Sequence, residues 1–180
     1  MIVNKIKVDE SISLKLLILN DAPVIYNAID SNRHFLRKWL PFIDSTKEIQ
    51  DTRLFIQSIL DDSEQQQKIF TIWFNHEYCG LIGLKDIDYI NRKVELGYWI
   101  IEKMTGKGII TKSVKSIINF CFTGLEMNRI QIKCGVGNIK SSAVPKRIGF
   151  TFEGIERQGE KHLTHYINLE IYSLLKDEWI

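Results

Sequence analysis

The segment GYWIIEKMTGKGIITKSV, residues 97–114, constrains this chain more than any other, because it passes from an extended apolar stretch into a helical one through two glycines. At such a junction the first backbone N–H groups of the helix lack intrahelical partners and lie at the positive end of its dipole. Gly106 and Gly108 allow a tight turn and let a ligand approach the backbone without meeting a side chain. Phosphate or pyrophosphate is the natural guest, with Lys107 adding charge and Thr111 or Ser113 a hydroxyl. The spacing is not that of a Walker A loop, since GKGIIT lacks its first glycine. It is not a G-x-G-x-x-G fingerprint either, since Thr111 stands three residues after Gly108. A plain connecting turn would use the same two glycines, so the flanks must decide.

Those flanks alternate strands with helices. Ile12 to Ile18 reads as a strand, and Asn20 or Asp21 with Pro23 opens a helix over about Ala22 to Ser31. A second helical region holds His34 to Trp39 and stops near Pro41. A third runs from Thr46-Lys47-Glu48 to Leu60, ahead of a polar loop at Asp61 to Gln67. KIFTIWF and CGLIGLKDI form a hairpin across Asn75-His76-Glu77, and VELGYWII follows a turn at Asn91-Arg92. After the glycines come a helix over about Ile109 to Thr123, with Gly124 as C-cap, the strand RIQIKCGV and the short helix SSAVPKRIG. FTFEGIER and HYINLEIYSLL close the chain as strands, joined by a turn at ERQGEKH. No repeat or linker divides it, so residues 1–180 read as a single α/β or α+β domain.

Composition narrows the classes of partner. The net charge is +2, from 24 Lys+Arg against 22 Asp+Glu, too even for a nucleic-acid binder. Cys79, Cys121 and Cys134 lack metal-ligand spacing and read as reduced thiols. His34, His76, His162 and His165 lack the spacing of a zinc helix, so no metal is expected. MIVNKIKVDE carries no leader pattern, and no apolar run approaches about 18 residues. The expectation is a cytoplasmic protein with no membrane span.

The order strand, glycine turn, helix, strand, then Asn138-Ile139-Lys140-Ser141 and IGFTFEG resembles the GNAT acetyltransferase superfamily, whose Q/R-x-x-G-x-G/A loop binds the pyrophosphate of coenzyme A. NRKVELGYWI, GKGIITKSV, VGNIKSSAVPKRIGF and YSLLKDEW are more closely similar to the RimJ/RimL type, the ribosomal-protein N-acetyltransferases. The resemblance runs from Leu14 to Trp179 and is strongest from Asn91 to Gly154. One departure is Lys103 at the loop's first position, which keeps the charge but loses the guanidinium fork.

The resemblance implies a mixed, mostly antiparallel sheet flanked by helices, splayed between its strands 4 and 5. VELGYWII and RIQIKCGV then form the two sides of an acetyl-CoA cleft. Backbone N–H groups of Trp99, Ile100 and Ile101 would pair with the pantetheine, and Lys103, Gly106 to Gly108, Ile109, Ile110 and Thr111 would hold the pyrophosphate. Asn138 would contact the pantetheine arm, and Ser141 would protonate the leaving thiolate. Read without the family, Asn138 is a helix cap and Ser141 a first-turn hydroxyl, roles compatible with the others. Cys134 would face the sulfur but reads better as a buried thiol. For the base, Glu95 on the strand entering the cleft and Glu160 in ERQGEKH both stand as candidates, with His162 and His165 near the acceptor path. Arg33, His34, Trp39 and Phe42 would line the acceptor wall.

The expected reaction is direct acetyl transfer from acetyl-CoA, in a ternary complex, to the N-terminal serine or alanine of a ribosomal protein. An α-amine, with a reference pKa near ~7.7–8.0, asks less of a base than a lysine amine near ~10.4. Alternatives are a small-amine acetyltransferase, for which no acidic cluster stands out, a silent CoA-binding protein, and a nucleotide binder, disfavoured by the absent Walker B run. Family members are often homodimers.

Overall fold

The computed structural model of the chain describes residues 4–179. The first three residues of the MIVNKIKVDE reading, and Ile180, therefore lie outside the described residues. Strands β1 (Lys5–Lys7), β2 (Ile12–Leu16), β3 (Lys68–Phe74), β4 (Glu77–Asp88), β5 (Lys93–Ile100), β6 (Arg129–Gly135), β7 (Thr151–His162) and β8 (His165–Leu175) form one sheet in the order β1-β2-β3-β4-β5-β6-β8-β7. Every neighbouring pair is antiparallel except β5 and β6. The expected mixed, mostly antiparallel sheet flanked by helices is what the chain forms. The short β1 shifts the count, so the pair numbered 4 and 5 in the family is β5 and β6 here.

Local chemistry explains most of the connections. Asn75 and His76 both take positive φ, 48° and 66°, the conformation that two-residue hairpin loops require and asparagine tolerates. Helices α1 (Ala22–Asp30), α2 (Arg33–Leu36) and α3 (Ile49–Leu60) fill the long stretch between β2 and β3. The Asp51 carboxylate, in the first turn of α3, accepts the Lys47 and Glu48 N–H groups at 2.7 and 3.0 Å. Those two bonds hold its carboxyl below the usual range.

Helix α4 (Ile109–Asn119) and the turn after it bury the face read from its spacing, with Val114, Ile117 and Ile118 of the helix and Cys121 beyond it all at 0% exposure. It does not run to Thr123 as one α-helix: a π turn covers Phe120–Gly124, closed by the Leu125 N–H on the Phe120 carbonyl. Gly124 is not a left-handed C-cap; the left-handed residue is Glu126, at φ 54°. Gly124 lies close to the Phe120 ring, which a Cβ there would approach to 3.0 Å. Helix α5 (Ile139–Ile148) does end in a left-handed glycine, Gly149.

Two apolar layers sandwich the sheet. Phe70, Ile72, Ile82, Leu84, Leu96, Ile130 and Ile132 pack with α4 on one face. Ile25, Ile29, Ile43 and Ile56 from the α1–α3 region pack with Tyr78 and Leu81 on the other. Burying each such side chain is worth about 1.5–3 kcal/mol, so the two layers fix both faces of the central strands.

What positions the site is a failure of pairing. β5 and β6 pair only at Lys93↔Arg129, Val94↔Ile130 and Glu95↔Gln131. From Leu96 onward β5 stays with β4, as far as Ile100↔Gly80, while β6 turns to β8. Gly80 makes the first contact possible, since a Cβ there would lie 2.1 Å from the Trp99 carbonyl oxygen. The result is a wedge-shaped gap that connects the α4 face of the sheet to the α1–α3 face.

Candidate active site

On the α4 face, the glycine turn leads into the gap. Gly106 and Gly108 hold φ of 77° and 75°, and a Cβ built at either would meet nothing within 4 Å. The two glycines are thus required by backbone conformation, and the space in front of them is open. The first intrahelical bond runs from the Lys112 N–H to the Gly108 carbonyl, at 3.1 Å. The preceding N–H groups of Ile109, Ile110 and Thr111 remain for a ligand. The Ile109 and Ile110 side chains, 1% and 9% exposed, belong to the core, so these residues offer only their backbone. This cradle fits a pyrophosphate: open, lined by amides and at the positive end of α4.

The charges around the cradle differ from the expectation. Lys103 forms an ion pair with Glu77. Lys107 folds back, its Nζ 3.5 Å from Met104 Sδ and 5.8 Å from the centre of the Phe74 ring. The Ser113 hydroxyl is buried and has no partner, whereas the Thr111 hydroxyl accepts the Arg147 Nη1–H at 3.1 Å. Arg147, from α5, is thus the cation beside the cradle, and sequence reasoning missed it. Its exposed place in the last turn of α5, one residue before the apolar Ile148, was the available signal.

At the mouth of the gap, α5 brings up Asn138 and Ser141. Asn138 is the N-cap, its Oδ1 accepting the Ser141 N–H at 3.3 Å. The Ser141 carbonyl accepts the Tyr98 hydroxyl at 2.9 Å, bridging β5 to α5 across the splay. The Ser141 Oγ lies 3.4 Å from Cys134 Sγ. Burial holds the Cys134 thiol above its ordinary value, so it is no ready nucleophile. Burial likewise pushes the Tyr98 phenol up and keeps it a hydrogen-bond donor. Along the β5 edge, the Ile101 N–H is bonded to the Cys79 carbonyl at 2.8 Å. Strand alternation then turns Trp99 toward β4 as well and leaves Ile100, of the three, facing the gap.

On the opposite face a cleft of about 640 Å³ lies between the α1–α3 region and the sheet. Ile25, Ile29, Phe42, Leu54, Phe55 and Ile69 form its apolar walls, and Gly97, Tyr98 and Trp99 of β5 also line it. Of the four residues expected on the acceptor wall, Phe42 lines this cleft. Trp39 stands at the end of β6, where a Cβ on Gly135 would lie 3.2 Å from its ring. His34 is exposed on α2 and does not line the cleft. Arg33 serves the fold: it donates to Asp30 at 2.8 Å and to the Ile43 and Thr46 carbonyls at 2.7 and 2.5 Å.

The two candidate carboxylates part company. Glu95 is 8% exposed and sits between two ammonium groups, 2.8 Å from Lys85 Nζ and 3.7 Å from Lys133 Nζ. Burial disfavours the charge on Lys133, but its bond to Glu156 and the nearby Glu95 outweigh that and hold it above its ordinary value. Glu160 does line the cleft. It is not in a turn: β7 continues through it, Glu160 pairs with Ile167, and the hairpin turns at Leu163-Thr164. ERQGEKH reads as a turn because its Gln158-Gly159 pair forms a bulge, in which Gln158 takes φ 52°.

The three cysteines are free and buried. Among the described residues there is no group of three or more His, Cys, Asp or Glu placed to hold a metal, and no helix long and apolar enough to cross a membrane.

Residues 12–151 match the acetyltransferase (GNAT) domain family. The chain is 39% identical over 178 residues to YdaF of Bacillus subtilis (strain 168), assigned as a ribosomal N-acetyltransferase, covering 96% of each. It is 31% identical over 173 residues to the ribosomal-protein-serine acetyltransferase of Escherichia coli (strain K12), covering 96% of this chain and 97% of that one. The solved structure of RimL, a ribosomal L7/L12 α-N-protein acetyltransferase with coenzyme A bound as a disulfide to a cysteine, superposes with a TM-score of 0.91 at 26% identity, over 97% of this chain and 99% of that one. With the open glycine cradle and the splayed strands, these matches establish that the chain belongs to the GNAT family and is an acetyl-CoA-dependent N-acetyltransferase of the RimL type.

Proposed function

We infer that this enzyme acetylates the N-terminal α-amine of a protein, a ribosomal protein beginning with serine or alanine, by direct attack in a ternary complex. The observation that carries the reading is the apolar cleft, which opens on the face opposite the glycine cradle and reaches Tyr98, whose hydroxyl bonds the Ser141 carbonyl. A peptide N-terminus entering there brings its amine to the gap beside Ser141. Asp51 and Glu160 are the carboxylates on the cleft lining, and Asp51 is already engaged in capping α3. That lining suits an apolar peptide better than a polyamine, whose several positive charges call for several free carboxylates.

In this reading acetyl-CoA supplies the activated acetyl group. The amides at the start of α4 and Arg147 hold its pyrophosphate, the Ile100 N–H faces its arm, and Ser141 Oγ donates a proton to the leaving sulfur. Glu160 accepts the proton from the attacking amine, directly or through water, while Glu95, held between two lysines, stays in the sheet. Steady-state rates with an N-terminal-serine peptide and with spermidine test the assignment. The peptide is expected to give the higher kcat/KM by at least about tenfold; equal rates, or a preference for spermidine, would overturn it.

Cys134 reports where the sulfur sits. Because burial keeps the Cys134 thiol largely protonated, its exchange with CoA disulfide is expected to be slow and to speed up as pH rises, taking on one CoA and releasing the other as free CoA, a mass gain that Cys134→Ala abolishes. A gain that survives in Cys134→Ala would place the sulfur elsewhere.

A further inference from the structure

We propose that His162 is a positioning residue for acetyl transfer, acting through Glu160. The inference rests on the assignment of Glu160 as the proton acceptor. His162 sits at the last position of β7, two residues from Glu160, so strand alternation puts both side chains on one face. Its Nε2 lies 2.9 Å from Glu160 Oε2. Although it is next to a hairpin turn, His162 is only 6% exposed. Among the described residues it is the only hydrogen-bonding or ion-pair partner of the Glu160 side chain, which is 36% exposed and lines the acceptor cleft. A flexible glutamate at the edge of a cleft has several rotamers. One hydrogen bond from a buried ring selects among them and leaves the second oxygen for the acceptor.

The backbone is shaped to deliver this pair. Between Glu156↔Leu169 and Glu160↔Ile167, β7 uses four residues where β8 uses two. The extra length bulges out at Arg157–Gly159. The bulge is pinned by the Gln158 N–H on Asn168 Oδ1 at 2.8 Å. Gly159 packs closely on the Glu156 side chain, whose Cδ would lie 2.8 Å from a Cβ built there. Two extra residues preserve the face, so Glu160 and His162 stay on the side of the sheet that carries Glu156 and the acceptor cleft. His165, its ring centroid 5.7 Å from that of His162, is exposed. It has no hydrogen bond to Glu160 among the described residues.

The test is a double-mutant cycle in the full-length enzyme, with thermal melting as the folding control. His162→Leu is expected to lower kcat about tenfold or more, since misplacing a catalytic group by about 1 Å costs on the order of 100-fold. The KM for acetyl-CoA should not move. His162→Gln, whose amide nitrogen donates from a similar position, should restore most of the lost turnover. In a Glu160→Gln background, His162→Leu should cost nothing further. Unchanged kcat in His162→Leu, failure of glutamine to rescue, or an equal loss in the Glu160→Gln background would each overturn the proposal. Full activity in Glu160→Gln alone would instead remove the assignment of Glu160, and the proposal with it.

Discussion

Gly108→Val is expected to raise the dissociation constant for acetyl-CoA about 100-fold, a loss of about 2.7 kcal/mol of binding. Two effects combine. Gly108 is the N-cap of α4 at φ 75°, a conformation that a β-branched residue takes only at a cost of about 1–3 kcal/mol. Its Cβ would also project into open space, where it meets no protein atom within 4 Å. Because the protein itself has room for the added atoms, the larger penalty falls on the ligand that uses that space. Calorimetric titration with acetyl-CoA measures it, and melting temperatures separate it from the strain. Unchanged affinity would mean that the pyrophosphate is not held at this turn.

Ser141→Ala should act on the other half of the site. A positioned general acid is worth about 10²–10⁴-fold, so kcat is expected to fall about 100-fold. Acetyl-CoA affinity should hold, because the Tyr98 hydroxyl reaches the Ser141 main-chain carbonyl and Asn138 its main-chain N–H, and alanine keeps both. The fold loses only the 3.4 Å contact between the hydroxyl and the Cys134 thiol. Single-turnover rates at saturating acetyl-CoA are the measurement. A rate equal to that of the unmodified enzyme would remove Ser141 as the acid.

Much of this was legible in the chain, for identifiable reasons. RIQIKCG alternates, and β6 buries Ile130, Ile132 and Cys134 while Gln131 and Lys133 stay half-buried. The apolar spacing of Val114, Ile117 and Ile118 read directly as the inner face of α4. Gly106 and Gly108 announced a positive-φ turn, and the N-x-x-S segment placed Ser141 by its family likeness. What escaped was long-range or ambiguous. The pairing of Lys103 with Glu77, and of Glu95 with Lys85 and Lys133, depends on strand register and leaves no mark in local sequence. β1 spans three residues, too few to show alternation. Gln158-Gly159 carries the chemistry of a turn and of a bulge alike, so local sequence ends the strand early and puts Glu160 in a turn. Once β7 is seen to continue, the two-residue spacing of Glu160 and His162 becomes visible as one face.

In the proposed reaction the cleft on the α1–α3 face delivers an N-terminal α-amine to a thioester held on the α4 face. Its most direct test is tandem mass spectrometry of a peptide that begins with serine and carries an internal lysine, after incubation with the enzyme and acetyl-CoA. A single acetyl group on the α-amine is the expected result. Acetylation of the lysine side chain in preference to the N-terminus would contradict it.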